Sequence, residues 1–188
     1  MRDTARACLW MTGAIVSFTA MAVAGREVSL DLDTFEIMAY RSIIGFVIVM
    51  VVASLTGHRH EITTRALGWH GLRNVFHFTG QNLWFYAITA IPLAQVFALE
   101  FTSPLWVMVL SPLILGERLT WSRAAAAAVG FLGILVVARP SPDTVSLGLL
   151  CAAGAAIGFA GSAVFTRRLT RSVSITGILF WLTLMQAV

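Results

Sequence analysis

The sequence contains no lysine; all 13 of its basic residues are arginine, set against only 9 carboxylates. Charged residues fill 12% of the 188 positions, roughly half of the ~25% that a soluble domain carries. That is too little polar surface to clothe a water-soluble globule. The two cysteines, Cys8 and Cys151, lie singly inside apolar runs, so neither a disulfide framework nor a paired-cysteine metal site organises the chain. Walker-type glycine loops, His-Glu-x-x-His and Gly-x-Ser-x-Gly are missing, which leaves no motif for a nucleotide engine, a zinc hydrolase or a nucleophile elbow. His58-Arg59-His60-Glu61 lacks the helical i, i+4 spacing of a zinc pair and reads as a solvated loop. No catalytic residue, metal or cofactor is expected, and the chain is not expected to be an enzyme. The formal charge of +4 does not point to nucleic acid. The arginines stand in short loops between apolar runs, where topology rather than a phosphate-binding face accounts for them.

What is present is length and apolarity. Hydrophobic residues make up 58% of the chain and the mean hydropathy is +0.84. Apolar runs near the ~20 residues that a helix needs to cross a bilayer recur at Cys8–Ala24, Phe35–Thr56, Leu67–Ala90, Pro92–Leu115, Trp121–Ala138 and Ser146–Phe165. A seventh begins near Val173 and is still apolar at Val188. Arg2, Arg6 and Ala22-Val23-Ala24 also allow the first run to be read as a cleavable signal; either way the next loop falls outside. Arg2, Arg6, Arg59, Arg65, Arg118, Arg123, Arg167, Arg168 and Arg171 fall at one set of ends, with only Arg26 and Arg139 at the other. The positive-inside rule then places the N-terminus in the cytoplasm of a multi-pass protein of the inner membrane.

An offset of 141 residues lays Gly13, Phe18, Ala22, Val23, Arg26 and Ile37 onto Gly154, Phe159, Ala163, Val164, Arg167 and Ile178. Five runs separate the two starts, an odd number, so the second copy enters the membrane from the opposite side. The loop after the first run is acidic and its counterpart after the sixth is arginine-rich, as an inverted repeat requires. Residues 1–140 are therefore expected to form a first repeat of five membrane helices. Residues 141–188 then begin a second repeat, with one complete helix and part of the next. The chain is accordingly expected to be the first part of a longer protein, the alternative being a half-sized protein that pairs with another copy.

A group that ionises inside a bilayer costs about 2.5–3.5 kcal/mol, so each one needs a reason. Glu100, eight residues beyond Pro92, lies roughly 12 Å into a ~30 Å core. Ser103, Pro104, Val107 and Ser111 follow it on one face, and Pro104 frees a backbone carbonyl. Two readings stay open: a cavity carboxylate for a cationic group or proton, and an interhelical partner for a buried arginine. Arg41 is the first candidate for that partner. Asn74, His77 and Gln81, with Arg73 and Trp84, share a polar face of the third run that must meet helices or water. Arg73 lies near the cytoplasmic end, where snorkelling would serve it. The cavity candidates are thus Glu100, Arg41, Asn74, His77, Gln81, Ser103 and Trp84. Gly154-x-x-x-Gly158 permits close helix contact, read as packing within the bundle, with homodimerisation second.

The hairpin from Pro92 to Pro140 carries a Pro104-Leu105 step, the turn Leu115-Gly116-Glu117-Arg118-Leu119-Thr120 and the helix Gly130-Phe131-Leu132-Gly133-Ile134-Leu135-Val136. It resembles the hairpin that closes the first repeat of the EamA branch of the drug/metabolite transporter superfamily. The likeness runs through the first repeat and into the second. His70 to Leu115, with Pro92-Leu93-Ala94, is similar to the sub-branch that includes S-adenosylmethionine and riboflavin transporters. The resemblance implies an all-α integral membrane bundle of two inverted five-helix repeats around a central cavity. It implies a secondary transporter of small organic metabolites working by alternating access, partnered by a solute and the lipid bilayer and not by nucleic acid. The last three helices of that pattern and part of a fourth are missing from this sequence. The alternative is a truncated membrane protein that packs without transporting, or a half-transporter that dimerises.

Overall fold

The computed structural model describes residues 2–138 and 146–187; the expected loop from Arg139 to Asp143 lies outside them. Among the described residues the chain is built of helices alone: α1 (Arg2–Val28), α2 (Thr34–Leu55), α3 (Leu67–Ala90), α4 (Leu93–Glu100), α5 (Ser103–Leu115), α6 (Trp121–Ala138), α7 (Leu147–Leu169) and α8 (Ile175–Ala187), with a 3₁₀ turn at His58–Glu61. Four stretches are long and apolar enough to cross a membrane: Thr4–Val28, Thr34–Leu55, Leu93–Leu115 and Leu147–Leu169. α3 is long enough too, but it holds His70, Arg73, Asn74, His77 and Gln81 and is the helix most in need of shelter. The bundle is arranged around it.

α7 lies antiparallel along α3, and glycine is what lets the two backbones meet. A β-carbon on Gly158 would stand 2.7 Å from Gly80 Cα and 2.9 Å from the Phe76 carbonyl, and one on Gly154 would stand 3.0 Å from Leu83 Cδ1. Gly161 faces the Phe76 ring. The glycine pair expected to pack within the bundle does so. In lipid, where apolar burial between helices gains little, such close approach is a main source of association. On another side, Phe18, Ala22 and Gly25 of α1 meet Trp84, Phe85 and Ile88 of α3. The outer surfaces of α1 and α2 stay apolar and exposed, as at Trp10, Val16, Val47 and Val51, the character of a lipid-facing surface.

One end of the α1–α2 link is fixed by local chemistry and the other by a contact distant in sequence. The amides of Phe35 and Glu36 donate to Asp33 Oδ1 at 2.7 and 2.9 Å, and the Asp33 amide donates back to Glu36 Oε2 at 3.0 Å. This capping box occupies Glu36, which the sequence places at the head of its second run. Arg26 donates from Nε and Nη2 to the carbonyls of Ile88 and Ile91, closing the C-terminus of α3, where carbonyls lack helical partners.

The arginine-rich connections gather at the opposite end. Glu117, in the α5–α6 turn, pairs with Arg167 Nη2 at 2.9 Å and Arg171 Nη2 at 3.5 Å. Arg168 lies 4.2 Å over the Trp69 ring and donates to the Ile114 carbonyl at 3.2 Å. Ser174 Oγ donates to the Glu61 carbonyl at 3.4 Å, and Trp181 Nε1 to the Thr63 carbonyl at 2.8 Å.

Three expectations need correction. The first run extends beyond Cys8–Ala24 to a helix of 27 residues. The sixth run continues past Phe165 to Leu169, because Thr166, Arg167 and Arg168 find partners on neighbouring elements. The run from Pro92 to Leu115 is divided rather than continuous. Pro104 has no N–H for the Glu100 carbonyl. Around it the chain tightens to i→i−3 bonds, Thr102 N to Leu99 O and Leu105 N to Thr102 O, both 2.9 Å.

Candidate solute-binding site

The divided helix sets Glu100 at the last position of α4, inside the bundle. Its Oε2 accepts a 2.9 Å hydrogen bond from the indole Nε1 of Trp84, itself only 2% exposed. Among the described residues Glu100 makes no ion pair. Arg41, the partner that its charge recommends, stands across a shared cavity instead of pairing with it. The indole supplies one donor and no countercharge, so the carboxyl group is oriented without being ion-paired.

That cavity holds about 270 Å³ and is lined by Phe18, Met21, Arg41, His77, Gln81, Trp84, Glu100 and Phe159. Five elements meet there: α1, α2, α3 and the α4 terminus, with α7 closing the wall through Phe159. Gln81 is 5% exposed and its buried Oε1 has no hydrogen-bond partner among the described residues. The His77 and Phe159 rings lie 6.0 Å apart. The Phe18 ring is 5.6 Å from that of Trp84 and 6.1 Å from that of Phe97. The result is a flat-walled aromatic space with a carboxylate, a guanidinium, an imidazole and an amide at its margins. Glu100, Phe18 and Phe159 also border a larger, almost wholly apolar groove of about 810 Å³ between α1, α5 and α7.

Of the seven residues singled out in sequence, the structure brings Glu100, Arg41, His77, Gln81 and Trp84 together around the smaller cavity. Ser103 lines the larger groove and donates to the Ala156 carbonyl of α7 at 3.1 Å. Asn74 lies apart, at the α3–α8 contact. Its Nδ2 donates to the carbonyls of His70 at 3.0 Å and Trp181 at 3.3 Å and to Met185 Sδ at 3.2 Å, and its Oδ1 accepts from Gln186 at 3.5 Å. Arg73 does not snorkel: it is 8% exposed and donates from Nε to Thr166 Oγ1 of α7 at 3.0 Å. Phe18 and Phe159 went unmarked as cavity residues, although the 141-residue offset pairs them. Glu117 read only as a turn residue, since its partners lie 50 and more positions away.

Residues 5–139 match the model of the EamA-like transporter family. The chain belongs to that family. This EamA-like chain is a multi-pass membrane protein, with an all-α fold. It is 27% identical over 180 residues to a protein of Vibrio cholerae named riboflavin transporter, covering 94% of this chain and 60% of that protein. A riboflavin transporter of Brucella anthropi is 33% identical over 86% of this chain and 57% of its own length. An S-adenosylmethionine uptake transporter of Rickettsia felis is 26% identical over 71% of this chain and 45% of its own. The EamA-like chain therefore spans about half to three-fifths of the length of these relatives. One crystal structure of a protein superposes with a TM-score of 0.62 at 22% identity, over 91% of this chain and 61% of that one; at that identity it speaks for the fold.

Proposed function

We propose that this EamA-like chain carries the solute site of a secondary transporter for small organic molecules, and that the Glu100 cavity is that site. The observation that carries the reading is the Trp84–Glu100 pair. A carboxylate held in the membrane interior without a cationic partner among the described residues is expensive unless a ligand or proton uses it. Arg41, His77 and the unpartnered Gln81 carbonyl supply further polar contacts for the solute, and Phe18, Trp84 and Phe159 supply flat apolar walls. Such a lining suits a solute with a ring and several polar substituents, as the riboflavin and S-adenosylmethionine in the relatives' names both have. On this reading residues 1–140 form one repeat and 141–188 begin its inverted partner. The arginine-rich end, with the N-terminus, faces the cytoplasm across the inner membrane.

Cells expressing the chain should accumulate or expel radiolabelled riboflavin or S-adenosylmethionine differently from cells with an empty vector. Glu100→Gln keeps an acceptor for the Trp84 indole but removes the charge. A hydrogen bond to a charged group is worth about 1.5–3 kcal/mol, so the variant should lose roughly ten- to a hundredfold in transport at equal membrane abundance. Unchanged transport by Glu100→Gln rejects the assignment of the site. Absence of transport by the unaltered chain favours the packing-only alternative.

A further inference from the structure

His70 and Arg73 stand one turn apart on α3 and are closed inside the bundle, 0% and 8% exposed. Side chains three apart on a helix leave β-carbons about 5–6 Å from each other, so the two share one neighbourhood. Arg73 donates from Nε to the Thr166 hydroxyl at 3.0 Å, and that hydroxyl donates onward to the Ser162 carbonyl at 2.7 Å. Its buried Nη1 has no hydrogen-bond partner among the described residues, and neither has Nδ1 or Nε2 of His70. The adjoining amides are already engaged with one another and with backbone: Asn74 donates to the His70 and Trp181 carbonyls and accepts from Gln186. Buried polar atoms are seldom left in that condition, and two enclosed side chains share it here.

Water would satisfy the N–H groups but not the charge, because arginine keeps its proton inside proteins. Helices α3, α7 and α8 contain no aspartate or glutamate. Glu36 of α2 is taken up in the capping box at that helix's other end. Glu61 is held by the Thr176 hydroxyl, and Glu117 by Arg167 and Arg171. Glu100 is bonded to Trp84, three turns or about 16 Å along the α3 axis from Arg73. The other ionisable groups between them, His77 and Arg41, add no negative charge. We propose that Arg73 and His70 form a binding site for one small monovalent anion, of the size of chloride, between α3, α7 and α8. Arg73 supplies the countercharge and an Nη1–H, and the His70 imidazole supplies an N–H in either tautomer. A divalent phosphate would bring two charges to one permanent cation, and the enclosure of both side chains leaves a lipid headgroup no approach. The ion lets α3 keep a guanidinium inside the membrane while α7 and α8 pack over it. This assignment does not depend on what the Glu100 cavity binds.

The test uses the purified 188-residue chain in a non-ionic detergent, with radioactive chloride as the probe in equilibrium dialysis and gluconate holding the ionic strength constant. Saturable binding with one ion per chain is expected. Arg73→Gln should lower the affinity by at least about tenfold, the scale of a hydrogen bond to a charged group. His70→Phe, which keeps the guanidinium and its bond to Thr166, should weaken binding severalfold. Arg59→Gln, which removes an exposed arginine, should leave it unchanged. Thermal unfolding adds a readout that a merely structural Arg73 would not move. Replacing gluconate by chloride should raise the midpoint of the parent and leave that of Arg73→Gln where it was. Absence of saturable binding overturns the proposal, and so does binding undiminished in either Arg73→Gln or His70→Phe. Binding that Arg59→Gln weakens as much as Arg73→Gln marks an adventitious ion only and overturns it too. The assay contains no organic solute, so its outcome is separate from that of the Glu100 site.

Discussion

Gly158→Ala isolates the contact on which the bundle depends. The added methyl would stand 2.7 Å from Gly80 Cα, 2.9 Å from Gly80 N and 2.9 Å from the Phe76 carbonyl. All three are backbone atoms, so no rotamer change relieves the overlap; α3 and α7 must separate along their line of contact. Ordinary carbon contacts lie near 3.5–4.0 Å, so the axes must part by roughly 1 Å and nearby dispersion contacts weaken with them. Overpacking of this kind costs about 1–3 kcal/mol, a factor of about five to more than a hundred in the folding equilibrium. Gly154→Ala makes an internal comparison, because its methyl would meet only the Leu83 side chain, at 3.0 Å, which can rotate. Gly13→Ala makes a second, having nothing to meet within 4 Å. Unfolding in mixed micelles, followed by circular dichroism as denaturing detergent is titrated in, should rank stability as Gly13→Ala, then Gly154→Ala, then Gly158→Ala. A Gly158→Ala protein as stable as the parent would refute the claim that backbone contact holds α7 to α3.

Two further outcomes follow from the polar ends. Glu117→Gln removes the shared acceptor of Arg167 and Arg171; with exposed pairs worth about 0.2–1 kcal/mol each, a double-mutant cycle against Arg167→Gln should give a coupling within that range that shrinks in high salt. The Thr176 hydroxyl, hydrogen-bonded to Glu61, holds that carboxyl below the ordinary carboxylate range. Because the folded-state value is depressed, the contribution is present above the usual pKa of about 4.3 and is lost as pH falls through the lower folded value. Amide exchange in the turn at residues 58–61 should therefore rise, relative to the rest of the protein, on acidification below roughly pH 4. In Glu61→Gln that dependence should be flat.

Much of this architecture is visible in the residue order. Apolar runs, glycine spacing and the placement of arginine specify a membrane bundle, and the register between Phe18 and Phe159 already pairs two walls of one cavity. What resisted reading were contacts whose partners carry no complementary charge. Glu100 invites an arginine, yet its neighbour is the neutral indole of Trp84, a donor that charge-matching does not single out. Arg26 reads as a loop charge, but it serves carbonyls 62 and 65 positions onward, which no local pattern encodes. Arg73 would reach water if its helix end were bare; Thr166 of α7 covers it. Pro104 announces a lost hydrogen bond, whereas the place where the chain yields is decided by Thr102, whose amide and hydroxyl both turn back to the Leu99 carbonyl.

That yielding point divides one membrane span into two arms, of 8 and 13 residues, or about 12 and 20 Å at 1.5 Å per residue. Glu100 sits at the fulcrum. A small change of angle there sweeps the Gly116 end of α5 roughly 1.6 times as far as the Leu93 end of α4. The α5 end is the one tethered, through Glu117, to Arg167 and Arg171. Any change of angle at Glu100 would therefore be felt most at the pairs that Glu117 makes with Arg167 and Arg171.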